Sequence, residues 1–283
     1  MSESKTSSLY CSNIDIPSGG VGLLLIDPQN DFHPGGSLAI ADADKDAERI
    51  SKLIKENLEK IDHIYVTLDS HQKYHIAHPL FWVNEQKVHP TPFTTVTKKD
   101  VENGKWKPTR AEHRIWGLHY VSELERKGNF ALTIWPEHCL IGTPGHCVRG
   151  VIQEALQAWE DAKEKAVSYI VKGNNSKTEH YSAIKAEVIV PGEEDLTDLN
   201  RTLLDELSRH DKVLICGQAS SHCVNFTVRD IADNWTDSSL KKLYVLRDAM
   251  SPVPGFEEAE TQFLKDMGKK GLVITSTERA NLS

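Results

Sequence analysis

Short apolar runs alternate with stretches of helical periodicity along most of the chain. VGLLLID (21–27), HIYVTLD (63–69), VSYIVKG (167–173), KVLICG (212–217), KLYVLRDA (242–249) and GLVITST (271–277) have the length and density of buried strands. Between them, residues 44–60 set Ile50, Leu53, Ile54 and Leu58 at helical spacing. Residues 150–165 and 256–271 read as helices too, the second stopped by Gly271. A helix over 196–210 is expected to open on Thr197 as its N-cap. Strand–helix alternation of this kind predicts an α/β fold, three-layer and Rossmann-like, with a central, mostly parallel sheet covered by helices on both faces. Residues 84–129 break the rhythm. They are too long for a simple connection and predict a functional loop or small subdomain, with a helix around 111–127. The polar residues 1–19 are expected to be partly disordered, and 20–283 to form one domain.

Ligands of open parallel sheets bind beyond the carboxyl ends of the strands. Here three of those ends carry Asp27, Asp69 and Lys172, and a fourth strand runs into CGQASSHCV (216–224). That places Cys223 where a strand turns into a helix. A cysteine is usually a small core residue, the reading given to Cys11, Cys139, Cys147 and Cys216. Cys223 differs by position: a helix N-terminus favours the thiolate, and the N–H groups of its turn can hold an oxyanion. A lysine at 172 pointing into the crevice would lower the thiol pKa, and Asp27 would pair with that lysine and take the thiol proton. The step Asp69-Ser70-His71, joined by His138 of WPEHC, supplies one carboxylate and two imidazoles for a metal with open positions. His75, His78 and His89 are spare candidates.

Composition narrows the classes. A net charge of −8 with no basic block argues against nucleic acid or an anionic membrane as partner. Five cysteines in a chain of 283 residues are too sparse for a disulfide framework and suit a reducing, cytoplasmic setting. The N-terminus lacks the apolar segment of a signal peptide, and no apolar run reaches membrane-span length.

Five stretches in order, LLLIDPQNDFHPGGSLAI, VTLDSHQKYHIAHPLFW, IWPEHCLIGTPGHCV, VKGNNSKTEHYSA and CGQASSHCVNFTVRDIAD, resemble the motif set of the nicotinamidase branch of the isochorismatase-like cysteine hydrolases. The resemblance covers about residues 20–280 apart from 84–129. It implies the isochorismatase-like hydrolase fold and a catalytic triad of Asp27, Lys172 and Cys223. It also implies one divalent metal ion on Asp69, His71 and His138, zinc by donor type, with iron or manganese as alternatives. A cis peptide is expected at Gln218–Ala219, and an oxyanion hole from the N–H groups of Ala219 and Cys223. Phe32 and Trp82 are expected to pack on the substrate ring. The implied reaction is hydrolysis of nicotinamide to nicotinate and ammonia through a cysteine thioester, in NAD salvage. The rival readings are a related cysteine hydrolase of another small amide or ureido compound, and a non-enzymatic binding member of the family. A homo-oligomer is compatible with either. Four departures bear on substrate choice: Gln218 where the family has an aliphatic residue, Ser221 where it has Asp, GTPGH with His146 and then Cys147 where the family reads a GTPGA-like stretch, and the long 84–129 segment that follows the metal motif.

Overall fold

The computed structural model describes residues 18–128, 130–235, 239–280 and 282. Cys11 and the expected disorder of residues 1–19 lie outside this range, save for the last two positions. Six strands form one sheet: β1 (Val21–Ile26), β2 (His63–Asp69), β3 (Ser168–Lys172), β4 (Lys212–Gly217), β5 (Leu243–Leu246) and β6 (Val273–Thr275). Their order is β6-β5-β4-β1-β2-β3, and every neighbouring pair is parallel. The main helices are α1 (Ala43–Glu56), α2 (Arg114–Lys127), α3 (Gly150–Lys163), α4 (Arg201–Ser208), α5 (Cys223–Asn234) and α6 (Glu257–Lys270).

The unbroken apolar character of β1 follows from burial on both faces. Leu23 and Leu25 pack with Ile50, Leu53 and Ile54 of α1 and with Leu156 and Trp159 of α3. Leu24 and Ile26 point the other way, into a cluster with Leu203 and Leu207 of α4, Val224 and Val228 of α5, and Phe263 of α6. Each such side chain contributes roughly 1.5–3 kcal/mol by leaving water, so a charge placed at fully buried Leu24 would break the layer.

The helix expected over 196–210 is divided. A short turn spans Glu194–Thr197, and α4 starts at Arg201. The cap is Asn200, whose Oδ1 accepts the Leu203 N–H at 3.1 Å. Thr197 ends the preceding turn instead, with its hydroxyl donating to Glu193 O and accepting from Val190 N. Within the 84–129 segment, the described residues 84–128 form a small layered unit. Trp82–Val83 pairs antiparallel with Lys107–Pro108, Thr95–Val96 pairs with Leu132–Thr133, and α2 packs Tyr120, Val121 and Leu124 against Val96 and Leu132. The same apolar cluster contains Phe32, Trp135 and Ala219, so this unit is continuous with the carboxyl edge of the sheet.

The chain turns from one half of the sheet to the other between β1 and β4. Crevices in open parallel sheets lie at such switch points. Asp27 follows β1 there, and the 218–223 turn follows β4.

Candidate active site

Asp69 and Lys172 are directly opposed in the β2–β3 ladder, which sends both side chains to one face. The Lys172 ammonium is 3% exposed. It donates to Asp69 Oδ1 at 3.1 Å, to His180 O at 2.9 Å and to Cys223 Sγ at 3.5 Å, and it is ion-paired with Asp27 Oδ2 at 2.7 Å. Asp27 is completely buried, just past the end of β1, with a left-handed φ of +44°. Its N–H donates to Thr67 Oγ1 at 3.0 Å, and the Thr67 hydroxyl donates back to its Oδ1. Cys223 is the first residue of α5. The Gln218–Ala219 peptide is cis. The N–H groups of Ala219 and Cys223 meet no acceptor among the described residues.

The electrostatics differ from the expectation in one respect. Burial raises the Cys223 thiol well above its ordinary value; Lys172 lowers it, but Asp27 and Asp69 add to the rise. Burial, reinforced by the two carboxylates, therefore outweighs Lys172 and favours the neutral thiol. Burial likewise raises Asp27, against the pull of Lys172. For Lys172 burial works downward, yet Asp27 and Asp69 together hold it well above the usual lysine value.

A histidine cluster adjoins this triad. His71 and His138 place Nε2 at 2.9 and 3.3 Å from Asp69 Oδ2. A backbone bridge brings the two distant motifs together, with His71 N donating to Cys139 O and Ile141 N to His71 O. A Cβ at Gly173 would come within 2.6 Å of Asp69 Oδ1, which explains the glycine after Lys172. Sequence reasoning left His78 as a spare; its ring belongs to the cluster, with a donor atom within 4.8 Å of those of His71 and His138. In all three rings Nδ1 faces a backbone carbonyl: Gly173 O for His71, Gln72 O for His78, Pro136 O for His138. Nδ1–H donation there would leave each Nε2 to a metal, as metal-bound imidazoles require; without one, His71 and His138 turn Nε2 to Asp69 Oδ2. His78 Nε2 is buried without a partner, as is Glu179 Oε2, whose carboxyl burial raises. Burial lowers the His71 pKa, but Asp69 overrides it and carries it up to about 9. His75 is different. Its Nε2 faces Thr178 O and its Nδ1 accepts from Ala77 N, so both nitrogens are engaged. Asp69, His71, His78 and His138 thus fit a divalent cation by donor type and by the orphaned His78 nitrogen.

A narrow cavity opens onto this site. Phe32 and Trp135 line it, together with His138, Glu179, Tyr181, His222 and Cys223. Trp82 does not. Its indole is fully buried, donates to Ile76 O at 2.7 Å and packs over Gly117, so the 84–129 unit uses it as core. Trp135 lines the cavity instead, held by a bond from its Nε1 to Tyr181 Oη at 3.0 Å. The turn before Cys223 has its own support. Gln218 donates from Nε2 to buried Asp46 Oδ2 at 2.9 Å and accepts Ser251 N–H on Oε1 at 3.3 Å, while Ser251 Oγ donates to the same Asp46 oxygen at 2.6 Å. This is the structural use of the polar residue at 218.

No family model matches the chain. It is 25% identical over 210 residues to the nicotinamidase of Escherichia coli strain K12, which covers 74% of each chain. Among solved structures, the nicotinamidase/pyrazinamidase of Acinetobacter baumanii is similar at a TM-score of 0.62 and 22% identity, covering 93% of this chain and 99% of that one. The yeast nicotinamidase bound to the inhibitor nicotinaldehyde gives 0.62 and 21%, over 90% and 99%. The pyrazinamidase of Pyrococcus horikoshii in complex with zinc gives 0.52 and 23%, over 91% and 99%. The structural matches establish the fold. The chain has the fold of these nicotinamidases and pyrazinamidases, and across 74% of its length it is similar in sequence to a curated nicotinamidase. Among the described residues no helix is long and apolar enough to cross a membrane.

Proposed function

We propose that the chain hydrolyses nicotinamide to nicotinate and ammonia through a thioester on Cys223, a step of NAD salvage. The observation that carries this reading is the buried Lys172 ammonium held between Asp27, Asp69 and Cys223 Sγ. The names of the similar proteins support the substrate class.

In this mechanism Cys223 Sγ attacks the carboxamide carbon while its proton passes to the Asp27 carboxylate. The raised Asp27 pKa suits it to hold that proton, and the transfer makes a preformed thiolate unnecessary. The N–H groups of Ala219 and Cys223 stabilise the oxyanion. Asp27 returns the proton to the departing nitrogen, and ammonia leaves. Water then gives a proton to Asp27 and attacks the thioester carbon. Collapse frees the acid, and Sγ recovers its proton from Asp27. Lys172 stays protonated throughout and offsets the negative charge as it moves between Asp27 and Sγ. Asp69, His71, His78 and His138 would hold the divalent metal, which supplies a Lewis-acid site for a ring nitrogen. Phe32 and Trp135 would sandwich the ring.

Ammonia release from nicotinamide, measured beside a panel of small amides and ureido compounds, tests the reading. Turnover of another amide with none of nicotinamide would replace the substrate, and no turnover of any would remove the enzyme assignment.

A further inference from the structure

His222, the residue before the candidate nucleophile, lines the cavity and is 4% exposed. Its ring is surrounded by aromatic rings: Phe256 at a centroid distance of 4.6 Å, Trp135 and Tyr181 at 5.2 Å, and Phe130 at 5.3 Å. Burial pushes its pKa down to about 3, so the imidazole is neutral at physiological pH. A neutral imidazole has one donor nitrogen and one acceptor, and Ser221 decides which is which. Ser221 Oγ lies 2.9 Å from His222 Nδ1 and already accepts the Val253 N–H at 3.0 Å. Ser221 is fully buried, and among the described residues Nδ1 is the one acceptor its hydroxyl reaches. If Nδ1 carried the proton, the serine hydrogen would be left unpaired in the interior, an arrangement native structures avoid. The Ser221 hydroxyl therefore donates to Nδ1, and the imidazole proton sits on Nε2. That N–H meets no protein acceptor among the described residues, and the cavity is the open space beside the ring.

We propose that His222 is a specificity-determining residue, a fixed Nε2–H donor offered into the cavity that favours aromatic carboxamides presenting an acceptor toward it, such as a second ring nitrogen. The substrate class rests on the amidohydrolase reading above; the tautomer does not.

Two arms test it. In protein carrying 15N-histidine, the His222 ring is expected to show a protonated Nε2 and an unprotonated Nδ1, unchanged between pH 5 and pH 8, with the preference lost in Ser221→Ala. A proton on Nδ1, or titration within that range, would overturn the assignment. In the kinetic arm, kcat/KM is compared for nicotinamide, pyrazine-2-carboxamide and pyrimidine-5-carboxamide. In His222→Phe, which keeps the aromatic packing, the ratio of at least one diazine to nicotinamide should fall about fivefold, the worth of one neutral hydrogen bond. In His222→Gln, which restores an N–H donor, it should recover. Unchanged ratios for both diazines would overturn the proposal. If no carboxamide is hydrolysed, the proposed function fails separately. Saturating diazine carboxamide must still shift the His222 Nε2–H resonance, and a bound ligand that leaves it unmoved would overturn the donor role.

Discussion

Replacing Lys172 by methionine removes the one cation in contact with Asp27 among the described residues, while keeping most of the side-chain volume. Asp69 retains His71 and His138, but Asp27 is left with the Thr67 hydroxyl and backbone contacts inside a fully buried site. Breaking one side of a buried pair costs about 3–5 kcal/mol because the remaining charge is uncompensated. The cost should depend on pH in a definite direction. In the wild type the Lys172 pKa is raised by Asp27 and Asp69 against burial, so its contribution is complete below the ordinary lysine value and is lost only above it. In the variant the penalty belongs to ionised Asp27, whose pKa burial raises. The folded chain then keeps the Asp27 proton to a higher pH than the unfolded chain does. Destabilisation is therefore small at and below the ordinary aspartate value, grows as pH rises from there toward the raised one, and is constant above it. Urea unfolding from pH 4 to pH 8, in chelator-treated wild type and Lys172→Met, measures this. A loss under about 1 kcal/mol at pH 7, or a loss that shrinks as pH rises, would refute the charge arrangement drawn here.

Cys223→Ala should abolish turnover with unfolding behaviour close to wild type, whereas Cys216→Ala, in the interior of β4 and away from the cavity, should keep activity; the reverse pattern would exchange the nucleophile and the filler. Elemental analysis should find a divalent metal in the purified protein, reduced in His71→Ala, His78→Ala and His138→Ala, and equal content in all four would remove the site. Chelation should chiefly raise KM and leave alkylation of Cys223 by a small haloacetamide intact. Gln218→Leu and Asp46→Asn should lower kcat more than they raise KM, because Asp46 and Gln218 brace the turn that carries the Ala219 N–H; a change in KM alone would contradict that role.

The sheet was legible because β1, β2 and β4 are buried on both faces and so read as continuous apolar runs ending in chemically capable residues. Asp69 and Lys172 were visible as strand ends, although their opposition in the ladder needed the register. The cap at Asn200 was missed because Thr197 and Asn200 offer the same local chemistry, and tertiary packing selects between them. His78 was a spare candidate because His75 and His78 share one loop; only the folded loop shows that His75 has both nitrogens occupied and His78 has one free. Trp82 was misplaced for a related reason, since a tryptophan flanked by site motifs serves equally as core, and the 84–129 unit needed one. The neutral state of Cys223 was unreadable, because helix position and Lys172 argue for a thiolate, while the desolvation that prevails belongs to the assembled interior.

The central claim is a covalent bond between Cys223 and the acyl group of the substrate. Rapid mixing of the metal-loaded enzyme with nicotinamide, quenching in acid and peptide mass analysis tests it directly. The account predicts one nicotinoyl group on the peptide that carries Cys223, absent from Cys223→Ala. Turnover with no acylated peptide at any quench time, or acylation at another residue, would contradict it.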